Sequence, residues 1–560
     1  IGAEKEDNNL PSFGGIIGTM GSNTRLSLSV VNKITEANTT ITGKGNLGFF
    51  CNTMGEGANL TIASYTNDNS TNSSSTGSGT ATIGYDISTT GGHAGGLVGE
   101  MQVGEMQNGA TLTVNPALEL SGNVTTSANG FAAGGLIGAA ENPTITLNDT
   151  VTRTGTIGGT SESGGFIGKA VYNTGLELDL SKINVSGITI SNGNHAGGYF
   201  GVLNFGSTTG GTITIKNVSV TNLIHTGTSG TSKTSWQFGG VIGQYSANSQ
   251  SSTLRLESPN VNISSNGTVT ALGGIIGSVA GKGANDALGD ATSAYVEISG
   301  ATVTANLTTD LKDASCFGGL VGELGQAEGQ GHFLSVSGTT KVSGNDNGKA
   351  NKLGGILGKS SKGILRISGT TDLSRLKIEK TGKECGQIAG SIDGTIVYAL
   401  GSGNGNGGGG YDWKYIRPAA VSVSDIGSYG EVIRLDGSKL KETDGSSSAD
   451  DNTLFINSAS HEFSVAYTLP GGDLAINNTR DLAAVAVLLQ QGNTADLLSK
   501  NITVNCNVNL TGTGIYSLLR DNGSQIYTGT FNGNAHTITL AAGEAYGYLS
   551  DSSTLAKNAD

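Results

Sequence analysis

The sequence predicts an all-β protein built as a parallel β-helix, a solenoid in which each repeat of the chain forms one coil. Three observations predict it. Eleven copies of one signature, Gly-Gly-apolar-apolar-Gly or a close variant, recur along the first four hundred residues. Their start-to-start intervals run from about 30 to about 48 residues, the range of solenoids and arrays. Between copies the chain alternates apolar and polar residues in short runs, and nowhere in this part has it the length and 3.6-residue period of a crossover helix, which excludes a βαβ fold.

The clear copies are Gly14-Gly15-Ile16-Ile17-Gly18, Gly95 to Gly99, Gly134 to Gly138, Gly164 to Gly168, Gly197 to Gly201, Gly239 to Gly243, Gly273 to Gly277, Gly318 to Gly322 and Gly354 to Gly358. Weaker copies are Leu47-Gly48-Phe49-Phe50-Cys51 and Cys385-Gly386-Gln387-Ile388. Strand pairs such as Leu112-Thr113-Val114 with Leu118-Glu119-Leu120, and Ile213-Thr214-Ile215 with Val218-Ser219-Val220, fill the intervals. Counting the motif as a strand gives three strands per repeat and a triangular coil. Stacked at ~4.8 Å, eleven coils form a rod on the order of 50 Å long, and the intervals leave room for one coil per repeat.

Alternation along the motif puts Phe13, Gly15 and Ile17 on one face. That face is assigned to the interior, since the residue preceding the motif is mostly apolar: Phe13, Ala94, Ala133, Ala196, Phe238, Leu272, Phe317 or Leu353. The same rule turns Ile16, Leu97, Leu136, Phe166, Tyr199, Val241, Ile275, Leu320 and Ile356 outward. Strands apolar on both faces are usually covered on both. The long loops are therefore expected to fold over this stripe; the competing reading makes it a partner surface or a surface for lateral self-association.

Composition narrows the function classes. The chain has 560 residues, 92 of them glycine, with 13% charged residues and a net charge of -13. Its 31 Lys and Arg are scattered, so the basic stripe a nucleic acid requires is missing. Cys51, Cys316, Cys385 and Cys506 stand far apart, which fits small buried apolar residues better than a zinc site or disulfide framework. No run reaches the ~18 apolar residues that span a bilayer. The opening Ile1-Gly2-Ala3-Glu4-Lys5 lacks the order of a signal peptide and reads as the end of an earlier coil, so a longer or processed parent chain is expected.

Three regions follow. Residues 1–400 form the repeat solenoid, 401–475 a Gly-rich linker with a connecting β segment, and 476–560 a capping helix with the first coils of a second, truncated β-helix. The run Gly401-Ser402-Gly403-Asn404-Gly405-Asn406-Gly407-Gly408-Gly409-Gly410 is a hinge or coil-terminating loop. Beyond it Tyr411, Trp413 and Tyr415 form the densest aromatic cluster and are the candidate ligand-binding residues, by sugar stacking. One short helix is expected near residues 479–491, with Asn478 as N-cap, Gly492 as stop, and Leu482, Val485, Ala486 and Leu489 on one face. It is placed over the open end of the second stack, whose first strands are Ile502-Thr503-Val504 and Val508-Asn509-Leu510.

The Gly-Gly-Leu-Val-Gly repeats resemble the GLUG motif of large bacterial surface proteins. The stretch Ile476 to Leu540, with Arg480-Asp481-Leu482-Ala483, Val504-Asn505-Cys506-Asn507-Val508-Asn509-Leu510 and Phe531-Asn532-Gly533-Asn534-Ala535-His536-Thr537-Ile538, resembles the opening module of such arrays. Asn532 and Ala535 depart from the family's Phe-Asp-Gly-Asn-Gly-His pattern. The resemblance covers residues 13–390 and 476–550, and implies a right-handed β-helix in an extracellular, often adhesin-like protein, without a particular ligand.

Catalytic chemistry finds little support in the pattern. The acidic residues Asp179, Glu257, Glu297, Asp310, Asp313, Asp372 and Glu379 fall at different repeat phases. Asp372, Arg375 and Lys377 read as a solvated strand face, and His93 and His195, separated by two intervening copies, as turn residues. His461-Glu462-Phe463-Ser464-Val465 lacks the second histidine of a zinc helix, Asn345-Asp346-Asn347-Gly348 lacks the downstream ligands of a calcium loop, and the glycine run at 401 lacks a phosphate-loop lysine. No cofactor or metal is expected. The expected function is a non-catalytic bacterial cell-surface adhesin or stalk segment whose partner is a host or bacterial surface glycan or protein. The alternatives are a polysaccharide-active enzyme on the same fold and a structural subunit of a surface layer or filament.

Overall fold

The computed structural model describes residues 16–400 apart from 31–32, 35–39, 65–79, 104–107, 128–129, 227–236, 249–251, 282–293, 308–315, 326–331, 346–351, 362, 369, 378–383, 387–388 and 394–395, and further along 472–476, 482, 485–486, 497–510 and 527–540. Every strand pair in it is parallel, and each strand bonds to its counterpart one repeat away. Gly95 lies beside Gly134, and Gly134 beside Gly164. One repeat is therefore one coil, and the eleven motif copies become the eleven strands of the longest sheet, from Ile17–Met20 to Ala389–Asp393.

A single coil shows how the residues make it. The chain runs through Ala132–Gly134, Ile137–Glu141, Thr144–Leu147, Val151–Arg153 and Thr156–Gly158 before the next coil starts at Glu162–Gly164. Corners between these short strands are made where a side chain or its absence permits a sharp change of direction. Asn142 takes the left-handed conformation, with φ 44°, and its Oδ1 accepts a hydrogen bond from Asn173 N of the next coil at 2.7 Å. Inward positions stack as aliphatic ladders, Leu118 on Val151 on Ile183 and Val124 on Ile157 on Ile190. Each such side chain contributes about 1.5–3 kcal/mol by leaving water.

The motif is not one strand. It is two, an approach strand such as Ala132–Gly134 and a departure strand such as Ile137–Glu141, joined by a bend at Gly135-Leu136. At that bend two successive N–H groups, Leu136 N and Ile137 N, converge on the single carbonyl of Phe166 at 3.0 and 3.1 Å; Leu320 N and Val321 N converge likewise on Ile356 O, both at 3.0 Å. Such a stacked bulge breaks the two-residue alternation. Leu97, Leu136, Phe166, Tyr199, Val241, Ile275, Leu320 and Ile356 are consequently at most 2% exposed and belong to the core. Only Ile16, in the first described coil, is open, at 52%. The outward apolar stripe expected from alternation is thereby corrected, and with it the idea of a lateral surface made from these residues.

The glycines follow from the same corner. A Cβ on Gly134 would stand 1.7 Å from the Ile137 carbonyl oxygen, one on Gly135 1.8 Å from Gly165 O, and one on Gly138 2.5 Å from Gly99 O. Approach and departure strands thus meet backbone to backbone, and each coil sits on the next with no room for a methyl group.

The triangular cross-section is also corrected. Coils from Leu47 to Asn192 carry five strands, and coils from His195 to Lys377 carry four. A four-stranded face ending at Thr144–Leu147 and a five-stranded face ending at Ile183–Asn184 give way to one seven-stranded face that begins at Leu176–Asp179. Three-residue strands such as Val124–Thr126, which a periodicity argument passes over, supply the extra faces. Two large side chains sit where the cross-section changes. Arg153 is 1% exposed, occupies the inward rung above Leu120, and donates from Nη1 to Leu120 O at 2.7 Å and from Nη2 to Gly122 O. The Tyr199 hydroxyl lies 3.0 Å from both Ile183 O and Ser219 O, serving a carbonyl whose own face has ended.

The C-terminal described residues form a small stack of their own. Leu474–Ile476 pairs parallel with Ile502–Val504, which pairs with Phe531–Asn532, while Val508–Asn509 pairs with Ile538–Thr539. The expected strands at Ile502 and Val508 are present, and Leu474–Ile476, assigned from sequence mostly to the connecting segment, precedes them. Of the expected helix near 479–491, Leu482, Val485 and Ala486 are described; they are helical and buried.

Candidate functional site

The folded corner brings together two residues that the chain separates by seven. They stand two places before the first glycine of a motif and one place after the last. Asn46 Nδ2 reaches Thr53 Oγ1 at 3.2 Å, and Gln244 Nε2 reaches Gln237 Oε1 at 3.4 Å, across the same backbone contact that the glycines permit. Register repeats this pair in every coil. The approach sheet stacks Ala132, Glu162, His195, Gln237, Ala271, Cys316, Lys352 and Glu384, and the departure sheet stacks Thr53, Glu100, Ala139, Lys169, Val202, Gln244, Ser278, Glu323, Lys359 and Ser391. A double column of polar and titratable groups therefore follows the rod axis.

Its lower part is the most ordered. Asn46 Nδ2 and Gln102 Nε2 donate to Glu100 Oε2 at 2.5 and 2.7 Å, and Asn46 Oδ1 accepts from His93 N at 2.9 Å. The Nδ1 of His93 accepts from Ala132 N at 2.9 Å, in place of a ladder carbonyl. That bond leaves the ring proton on Nε2, facing away from the backbone. Phe131 meets the imidazole edge-on, with centroids 5.1 Å apart. Burial lowers the His93 pKa below its ordinary value; the Glu100 carboxylate works against this and the Lys169 ammonium adds to it.

Higher up, Lys359 Nζ pairs with Glu323 Oε1 at 2.9 Å beside Cys316, whose thiol is pushed well up by burial and by Glu323, with Lys359 and Lys352 opposing. Burial also lifts Cys51 to about 11. Neither thiol is prepared as a nucleophile. Cys51, Cys316 and Cys506 are free and buried, as expected of small apolar residues. Among the described residues no three His, Cys, Asp or Glu side chains are placed to hold a metal ion.

The candidate binding residues Tyr411, Trp413 and Tyr415 lie outside the described residues, as do His461, Asp346, Asn347, Gly348, Asp310, Asp313 and Glu379. Asp372, Arg375 and Lys377 stand on the strand Thr370–Lys377, beside Lys341, Ser343 and Asn345. Asp179, Lys216 and Glu257 share one register line, and Lys216 Nζ pairs with Glu177 at 2.6 Å. Register sets His93 and His195 three rungs apart, with Ala132 and Glu162 between, so they do not meet. The seven-residue polar pairing escaped the sequence argument because it exists only once the motif folds back. The polar residues flanking each motif were its visible trace.

Compared with protein-family models, curated proteins and solved structures, the chain matches none. Among the described residues no helix is long and apolar enough to cross a membrane.

Proposed function

We propose that the chain is a non-catalytic segment of an extracellular bacterial surface protein of the adhesin or stalk kind, a right-handed β-helix whose second stack is closed by the helix near residues 479–491. The observation that carries this reading is the unbroken eleven-strand parallel sheet, locked by glycine backbone contacts. A solenoid of this kind cannot flex coil by coil without breaking its ladder, so it holds side chains at fixed ~4.8 Å intervals along a rigid axis. That suits projection and multivalent contact. Resemblance of the repeats to the GLUG motif supports the extracellular setting.

The test is adherence. Purified chain, fluorescently labelled, is titrated onto bacterial and host cells and onto arrayed surface glycans; saturable binding is expected, with no turnover of any polysaccharide. Depolymerisation abolished by replacing one acidic pair would overturn the reading in favour of an enzyme, and absence of binding to every surface would overturn the adhesin role.

A further inference from the structure

One wall of the rod fails to close between two neighbouring coils. Thr144–Leu147 ends the four-stranded face and pairs only with Thr111–Val114 below it, while Leu176–Asp179, one coil further on, pairs only with Gly211–Lys216 above it. The seam between them is tied at both ends: Asn142 N donates to Val171 O at 2.8 Å, and Val151 N to Lys182 O at 2.7 Å. Between these ties the inward residues Ile145, Leu147, Leu176 and Leu178 are only half-buried, whereas their rung neighbours on the closed sides, Leu112, Val114, Ile213 and Ile215, are 0% exposed. Water therefore reaches the core through a slit. We propose that this slit binds an extended segment of a partner polypeptide as an added β-strand, with apolar residues inward and basic residues outward in alternation.

Backbone chemistry selects a polypeptide. Along a strand, successive residues direct their N–H and C=O groups to opposite edges. Thr144 N and Asn148 N donate to Ala110 O and Val114 O below, which turns the N–H and C=O of Ile145 and Leu147 into the slit. Leu180 N donates to Lys216 O above, which turns those of Glu177 and Asp179 into it from the other side. Two unpaired strand edges thus face one another, and an unpaired edge is a template for another chain. Side chains set the pattern of that chain. Ile145, Leu147, Leu176 and Leu178 offer apolar contact to every second residue of an entering strand. Glu141, Asp149, Glu177 and Asp179 border the slit against Lys182 and Lys216, and Lys216 is already paired with Glu177. That excess of negative charge meets basic side chains at the alternate, outward positions and disfavours acidic ones.

The slit gives the surface-binding reading above its partner chemistry and rests on that reading, and the experiment separates the two. Hydrogen exchange of the full chain, resolved to single residues by mass spectrometry, is followed alone and with the end-blocked hexapeptide Val-Lys-Val-Lys-Val-Lys. The amides of Ile145, Leu147, Glu177 and Asp179 are expected to exchange freely in the chain alone and to slow when the peptide binds, more tightly than its Val-Glu counterpart. Methylating alternate peptide nitrogens is expected to weaken binding at least about tenfold, as are Leu147→Pro and Asp179→Pro, each of which removes a slit-facing N–H and no ladder bond. Glu177→Gln combined with Asp179→Asn leaves every backbone group in place and is expected to weaken the Val-Lys peptide and strengthen the Val-Glu one. Unchanged circular dichroism and thermal midpoint establish that each variant folds. Slit amides already protected in the chain alone, no binding of either peptide, or binding that survives both methylation and the proline substitutions would each overturn the proposal. Protection that grows with protein concentration in the absence of peptide would assign the slit to a second copy and overturn it too. Cell adherence that persists while the slit fails leaves the surface role standing, and peptide binding without adherence does the reverse.

Discussion

Acid is expected to loosen the rod from within. His195, His225 and His332 are held by burial at a pKa of about 4, against 6.5 for the exposed imidazole, and Gln237 works against burial at His195. Geometry explains why the neutral form is required. The Nδ1 of His332 accepts from Ala294 N at 2.9 Å, and His225 lies 3.1 Å from the Ser265 hydroxyl with its ring stacked on Phe238 at 4.7 Å. A base whose folded pKa is depressed contributes its full stability above the unfolded value and loses it as pH falls from about 6.5 toward about 4. At about pH 5 each of the three loses about 2 kcal/mol, together about 6 kcal/mol, against a total of ~5–15 kcal/mol for a typical domain.

Because coils stack only on their neighbours, the loss is expected to be local to the coils that carry these histidines rather than spread over the rod. The assay is denaturant unfolding followed by circular dichroism at about pH 7.5, 6.5 and 5, with hydrogen exchange to locate the first coils that open. Wild-type stability should fall steeply across that window. A variant with His195→Gln, His225→Gln and His332→Gln should start lower and change little. A flat wild-type profile, or the same slope in the triple variant, would refute the argument. The depressed Asp179 carboxyl does not interfere, since its stabilisation by Asn217 and Ser181 is lost only as pH falls below the ordinary carboxylate range.

Three other expectations follow from the packing. Gly274→Ala should cost at least about 3 kcal/mol, since its Cβ would stand 2.1 Å from Gly319 O and 2.4 Å from Val303 Cγ1, whereas Gly21→Ala, whose nearest neighbour is 3.9 Å away, should be nearly neutral in the same melting experiment. Tyr199→Phe should lose about 1–3 kcal/mol by stripping Ile183 O and Ser219 O of their shared donor, with no change in secondary structure; an unchanged midpoint would show that other groups satisfy both carbonyls. Cys51, Cys316 and Cys506 should resist a thiol reagent in native protein and react in denaturant, followed residue by residue by mass spectrometry, and rapid native labelling of Cys316 would contradict its burial.

What could be read from the sequence, and what could not, divides at the corner. Eleven motif copies became eleven rungs because a parallel ladder repeats its own residues, and repetition is visible without coordinates. The orientation of Leu97 or Ile275 was not visible, since alternation assumes one continuous strand and the bulge supplies two N–H groups to one carbonyl. Five faces were hidden for a related reason: strands of three residues, such as Val124–Thr126, are too short to show a period. The site was hidden by the same fold-back, because His93 and Glu100 face each other only when Gly95 and Gly99 let the two strands touch. A Cβ on Gly95 would lie 1.8 Å from Val98 O, and one on Gly99 would lie 2.6 Å from Asn52 O. A substitution at Gly95 is therefore expected to part the two columns and to lower the thermal midpoint, whereas a substitution at Lys169, on the departure strand Ile167–Tyr172, is expected to leave the coil intact in the same measurement.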